Sequence, residues 1–309
     1  MTPAATIRAR VLAAIAADRA PGFSFTGHLL DTTWPHIGRD DVRVRIPFGA
    51  HCDDGSGAME ITALLMTLDA ALGTATRLFI VPGERIATAQ LYAQFTGAPL
   101  TGDLEVATAF TGMTQGDAVG QMLSRGTASM NGVPVCHGNA SFVRLPPPPG
   151  ARALAPLPWQ SAEQSAAAPD PAQLDAREAQ ILAHCDAVLA GAWQERGFLR
   201  SFWGIDPAPH ADGAVGRAAL GPHMANRVGH VQGGILLGLA VHAAKAAAPR
   251  HPVLSNLSAW FISPGRGPFL EARATPLHSG RSFAVVKTEV TGEGGVRVLE
   301  AVTAHASAA

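Results

Sequence analysis

Cysteine is scarce in this chain of 309 residues: Cys52, Cys136 and Cys185 are odd in number, widely spaced and never form a C-x-x-C. Neither a disulfide framework nor a zinc site follows, and a reducing cytoplasm is the expected compartment. Charge of one sign is also missing. The formal net charge is −1 with 15% charged residues, so there is no basic field for nucleic acid or for an anionic membrane surface. Hydrophobic runs of bilayer length are absent. The longest, Gly233 to Ala248, is interrupted by His242 and Lys245 and is too short to span, so it reads as a buried helix. Met1 to Ala20 is broken by Arg8, Arg10, Asp18 and Arg19, which reads as a short amphipathic helix and not as a signal peptide. No histidines stand at metal-ligand spacing, so no metal and no organic cofactor is expected.

What is present is a turn-rich apolar chain, with 47% hydrophobic residues, 33 Gly and 23 Pro, long enough for two domains. Residues 145–172, crowded with proline and then with small residues, read as an extended linker. The expected division is therefore a unit at 1–145, a linker at 146–172 and a second unit at 173–309.

The two units share an order of elements. In the first, Asp41 to Phe48 (DVRVRIPF) alternates as a strand with one wet face does. Met59, Ile61, Leu64, Leu65, Leu68 and Leu72 follow at helical spacing with few polar interruptions, which predicts a buried helix. After a turn at Pro82–Gly83 come strands near Ala87–Phe95, Leu104–Gly112, Ala118–Met130 and Val133–Leu145. Gly102–Asp103, Gly116–Asp117 and Asn131–Gly132 separate them, the last a strong hairpin signal. The second unit repeats this with a strand at Ala214–Leu220, a helix at Gly233–Ala247 and strands near Leu254–Ile262, Phe269–His278, Ser282–Thr291 and Val296–Ala306. Further helices are expected at about 5–18 and 173–195. The predicted class is α+β: two β-α-β-β-β-β units, each an antiparallel sheet wrapped around one buried helix. Joined side by side, they would form one sheet with both long helices on the same side.

The most informative segment is Asn226–Arg227–Val228–Gly229–His230–Val231–Gln232–Gly233–Gly234, because the first unit carries a worn copy at an offset of 172. Asp54 stands for Asn226, Gly57 for Gly229, Glu60 for Gln232, Ile61–Thr62 for the two glycines, and Asp69 for Val241. Each copy keeps what the other lost. The second has Gly-Gly at its helix start but Val241 nine residues beyond Gln232; the first lacks the glycines but keeps Asp69.

This arrangement resembles the PaaI-type branch of the hotdog acyl-CoA thioesterases, whose pattern is Asn, two residues, Gly, two residues, His-Gly-Gly, then an acid nine residues after the His. Asn226, Gly229, Gly233 and Gly234 match; Gln232 and Val241 depart from it. The first unit matches at Gly57 and Asp69. The resemblance covers about 25–145 and 195–306 and implies a double hotdog with sites between units. Residue by residue, it implies that Asn226 and the Gly233 N–H face Asp69 at one composite site. The opposite pairing of Asp54 and Ile61 with Val241 lacks an acid and would be inactive. Thr88, with eighteen residues between it and Asp69, is the expected holder of a water. Gly234, Gln232 and Arg281 are candidate substrate contacts, the last toward a CoA phosphate. Because single-unit members pair further, a homodimer of this chain is expected.

Thioester hydrolysis needs donors on the carbonyl oxygen and a base or nucleophile near its carbon. A glycine at the start of a buried helix supplies an open N–H aided by the helix dipole, and an acid among Leu65, Leu68 and Leu72 is costly without a purpose. The expected activity is hydrolysis of an acyl-CoA or acyl-carrier thioester. Two other readings stay open. A hotdog hydratase or dehydratase would need a His–acid pair, which Asp206–Pro207–Ala208–Pro209–His210 matches poorly. A non-catalytic acyl-thioester binder would explain the erosion of both motifs. Blander readings are preferred for His230 (a loop histidine), His242 and Lys245 (polar edges of the helix) and Cys136–His137 (structural).

Overall fold

The computed structural model describes residues 1–20, 22–81, 83–114, 120–146 and 169–307. Most of the expected linker, together with the Gly116–Asp117 turn and Pro82, lies outside the described residues.

The first half runs α1 (Pro3–Asp18), α2 (Phe25–Leu29), β1 (Thr33–Ile37), β2 (Val42–Ile46), α3 (Ile61–Arg77), β3 (Arg85–Phe95), β4 (Leu104–Met113), β5 (Gln121–Met130) and β6 (Val133–Leu145). The second runs α4 (Ala176–Leu189), α5 (Phe198–Phe202), β7 (Ala208–His210), β8 (Gly213–Ala219), α6 (Gly233–Ala247), β9 (Val253–Phe261), β10 (Phe269–Ser279), β11 (Phe283–Thr291) and β12 (Arg297–Ala306). Each unit thus has one strand more than the pattern predicts, since β1 and β7 precede the expected first strands. Both are short and largely exposed, and both contain proline (Pro35, Pro209). They occupy the two outer edges of the sheet, where a missing N–H is tolerated.

The twelve strands form one sheet in the order β1-β2-β4-β5-β6-β3-β9-β12-β11-β10-β8-β7. Every pairing is antiparallel. The halves meet where β3 pairs β9, with Leu91 opposite Ala259 and Tyr92 opposite Ser258. Alternation sorts residues between faces: in β2, Val42, Val44 and Ile46 are buried while Arg43 and Arg45 are exposed. The β5–β6 hairpin turns at Asn131 (φ 51°) and Gly132 (φ 79°), two positive-φ positions as Asn-Gly predicts.

α3 and α6 lie together on one side of the sheet and are buried on almost all faces. Their crossing depends on missing side chains. A Cβ on Gly234 would collide with the Met66 backbone, and one on Gly238 with the Thr62 side chain. These two contacts exchange under the offset of 172, so the halves are related by an internal pseudo-twofold axis through the crossing. The outer helices obey the same relation. α1 and α4 are equivalent, and they are tied by Arg8–Asp186 (2.7 Å), Arg177–Asp18 (2.6 Å) and Arg19–Glu178 (2.7 Å).

Candidate active site

The loop that precedes each long helix is built twice from the same backbone contacts. Asp54 N donates to Ala58 O at 2.9 Å, and Asn226 N to His230 O at 2.7 Å. Glu60 N donates to Cys52 O at 2.8 Å, and Gln232 N to Met224 O at 3.0 Å. Isolated bridges join Asp53 to Met59 and Ala225 to Val231. Gly57 (φ 88°) and Gly229 (φ 80°) both occupy the left-handed region, which is why both copies retain glycine there. The two loops therefore correspond in space as they do in sequence.

Their side chains differ. Asn226 Oδ1 accepts from Val228 N (3.0 Å) and His230 N (3.1 Å), which orders the loop. Gln232 is the N-cap of α6, with Oε1 accepting from Ile235 N at 3.1 Å. Gly233 is the first helical residue, so its N–H has no intrahelical partner.

Facing that N-terminus is Asp69 of α3. A Cβ on Gly233 would lie 2.8 Å from Asp69 Oδ2 and 3.2 Å from the Phe261 ring, so only glycine fits without displacing the carboxylate. Thr88 Oγ1 donates to Asp69 Oδ1 at 2.9 Å. Burial pushes the Asp69 carboxyl up to about 6, with the Thr88 hydrogen bond and the charge of Arg77 opposing the rise. Arg77, in the last turn of α3, is itself brought down to about 10, first by burial and then by the charge of Arg227. The structure thus brings Asp69, Thr88 and Gly233 together, with Gly234 packed against α3 beside them. Asn226 and Gln232 lie in the adjoining loop and cap.

At the pseudo-equivalent position Ile61 and Val241 are buried and apolar. Glu60, the N-cap of α3, accepts from Thr62 N at 2.7 Å and bonds His242 Nε2 at 2.5 Å across the halves. Burial would raise the Glu60 carboxyl, but His242 and the Thr62 N–H hold it below the ordinary carboxylate value. Burial depresses the nearby Lys245 ammonium, against the charges of Glu60 and Asp54. His242, expected as a polar helix edge, is instead hydrogen-bonded to the buried Glu60 across the halves. The signal for it was a Glu at an N-cap position and a His on an otherwise apolar helix.

Arg281 is not brought to this site. It lies by the end of the sheet where Phe283 pairs Ala306, whereas Phe261 stands at the other end, opposite Leu299. Seven residues of strand separate the two, about 23 Å. Basic residues around the site come from four places in the chain: Arg77, whose charge acts on Asp69; Arg227 and His230 in the loop before α6, with the charge of Arg227 acting on Arg77; and Arg85 and Arg266, whose charges act on His230. All three cysteines are buried, and burial pushes each thiol up to about 12, so none is a ready nucleophile. Among the described residues no cluster of His, Cys, Asp and Glu could hold a metal ion, and no helix is long and apolar enough to cross a membrane.

Residues 222–309 match the family model of the acyl-CoA thioesterase N-terminal domain. No curated protein compared with the chain matches it. Among solved structures, the chain is similar to one provisionally described as an oleoyl thioesterase from Lactobacillus plantarum. The TM-score is 0.55 and the identity 11%, over 87% of this chain and 97% of that one. It is similar to a tesB protein from Mycobacterium avium subspecies paratuberculosis at 0.52 and 12%, over 89% and 96%. It is also similar to a MaoC-like dehydratase at 0.50 and 10%, over 81% and 84%. At these identities the likeness is one of fold. Two hotdog units in one chain is an architecture common to thioesterases and lyases, so the site must decide the chemistry.

Proposed function

We propose that this chain hydrolyses acyl-CoA or acyl-carrier thioesters at one composite site of PaaI type, between units at 1–145 and 173–309 joined by the segment 146–172. The observation that carries this reading is the Asp69 carboxylate against Gly233 at the start of α6, while Ile61 and Val241 hold the equivalent positions with no acid.

In this reading the thioester carbonyl oxygen sits at the first turn of α6, where the Gly233 N–H and the helix dipole stabilise negative charge as it develops. Asp69, still ionised at neutral pH with its carboxyl near 6, takes a proton from water as the hydroxide adds to the carbonyl carbon. The tetrahedral adduct collapses, the C–S bond breaks, and the leaving thiolate receives the proton from Asp69. Direct attack by the carboxylate, followed by hydrolysis of the resulting anhydride, uses the same geometry. Thr88 fixes the carboxylate. Since Asn226 Oδ1 is engaged by the loop, its contact with substrate or water comes from Nδ2. No metal or organic cofactor enters this chemistry, and pairing of two chains as a homodimer belongs to the same reading.

The lyase alternative would need a His–acid pair open to substrate. Glu60 and His242 form such a pair, but Glu60 is 1% exposed with its second oxygen on Thr62 N, which suits a structural lock. Incubation with saturated and enoyl thioesters, following thiol release and enoyl absorbance together, tests the proposal. Release of thiol supports it. Loss of the double bond without thiol would assign a hydratase, and binding with neither change would assign a non-catalytic acyl-thioester binder.

A further inference from the structure

The side of the molecule without an acid has a buried polar cluster of its own. Lys245 lies one turn beyond Val241 on α6, and the offset of 172 pairs it with Gly73. The sheet beneath is related in the same way. Thr88 pairs Phe142 just before the bulge in β3, and Leu254 pairs His305 just before a matching bulge in β9. His305 therefore takes the place of Phe142. In the first half a Cβ on Gly73 would sit 3.4 Å from the Phe142 ring, an apolar contact. In the second half the same two positions hold an ammonium and an imidazole, and the Lys245 charge acts on His305. His251 closes the turn after α6, its N–H donating to Ala248 O at 2.9 Å. Its charge acts on His305 as well, and burial brings the His305 imidazole down to about 4.

His251 and His305 are 1% and 0% exposed. Neither ring nitrogen of His251, nor Nδ1 of His305, has a hydrogen-bond partner among the described residues. Only Nε2 of His305 is engaged, with Thr303 Oγ1 at 2.8 Å. An imidazole carries at least one N–H, and stranding it away from water is costly unless something accepts from it. Half-buried Lys245 gives the cluster an edge toward solvent, and Glu60 and Asp54 act on its ammonium through charge alone, against Arg200. Buried Ala248, Leu254 and Ala284 adjoin the two histidines. We infer that Lys245, His251 and His305 form a second binding site, for a small aliphatic monocarboxylate. With Nε2 of His305 accepting from the Thr303 hydroxyl, its Nδ1 becomes a donor. The ammonium and one N–H from each ring then supply three donors to two carboxylate oxygens. With the rings neutral, a single negative charge balances the lysine, which a carboxylate carries and a phosphate dianion exceeds. The aliphatic side chains suit a short hydrocarbon tail. This site is independent of the hydrolase reading and goes beyond it.

The test titrates the full chain with butyrate and with inorganic phosphate above neutral pH. Affinity is followed by calorimetry and the histidine ring resonances by NMR, assigned through His251→Phe and His305→Phe. Butyrate should saturate, shift the rings of His251 and His305, and bind at least about tenfold more tightly than phosphate. Lys245→Met keeps the stem and removes the charge, and should lose about tenfold in affinity, the scale of one charge-assisted hydrogen bond. Asp69→Asn is titrated alongside to separate this site from the one at Asp69. Binding lost in Lys245→Met and kept in Asp69→Asn supports the inference, and any other pattern overturns it. Absence of saturable binding, or saturation that leaves both rings unmoved, also overturns it and leaves the ring nitrogens to solvent. Tighter binding of phosphate than of butyrate rejects a carboxylate as the ligand. Should either histidine variant fail to fold, the comparison of Lys245→Met with Asp69→Asn decides alone.

Discussion

Thr88 Oγ1 donates to Asp69 Oδ1 at 2.9 Å from a β-bulge, where the register of β3 against β6 shifts between Thr88 and Gln90. The bulge re-aims one side chain toward the helix beneath the sheet. The bond favours the ionised acid, so Thr88→Val should raise the Asp69 carboxyl above about 6. The acid limb of the pH–rate profile should move to higher pH, with a loss of turnover at neutral pH that higher pH partly restores. An unmoved limb would leave Thr88 without a role in tuning the acid.

Wild-type turnover should itself rise with pH through about 6 as Asp69 ionises. The stability consequence has the opposite sense. The folded state holds this proton up to about 6 and the unfolded chain only to its ordinary 3.8, so stability is lost as pH rises through that window. Asp69→Asn removes the loss, and urea denaturation should show it stabilised by roughly 2 kcal/mol at pH 8 and little changed at pH 4.

The same Asp69→Asn variant should lower kcat by roughly 10²–10⁴-fold with KM little changed. Asn226→Ala should cost about 10- to 100-fold through lost positioning. Asp54→Ala, at the counterpart of Asn226, should leave turnover nearly intact. Equal activity of Asp69→Asn and Asp54→Ala on one thioester would sink the composite site.

His242→Ala should destabilise the fold by about 3–5 kcal/mol at neutral pH, because it strands a buried carboxylate. Glu60 is held below its ordinary value of 4.5, so its contribution is present above that pH and is lost as pH falls through its folded value. The penalty should therefore shrink in acid. Denaturation midpoints at neutral and acid pH check this, and an equal penalty at both would show that packing, not charge, is what His242 supplies.

The buried helices and most strands were legible because periodicity records burial directly. Asp69 was legible as an acid on a leucine-rich face, and Gly233 as an unneeded glycine at a helix start. The edge strands β1 and β7 were not, since Pro35 and Pro209 read as breakers and an edge needs no alternation. Glu60–His242 joins residues 182 apart in sequence, and no local pattern announces a contact across a pseudo-twofold axis. The place of Arg281 at the far end of the strands from Phe261 was illegible for the same reason. A basic residue after a turn says nothing about which end of a strand it serves, and the register between strands decides that.

The β3–β9 seam has one further consequence. In an assembly of two identical chains every substitution appears twice, and dilution separates the partners. Here the acid-bearing helix and the glycine-bearing helix share one covalent backbone, so the pair stays together at any dilution. A mutation also strikes only one face of the axis. Valine can stand at 241 without altering the aspartate at 69, and on that side Glu60 and His242 fasten the two halves instead.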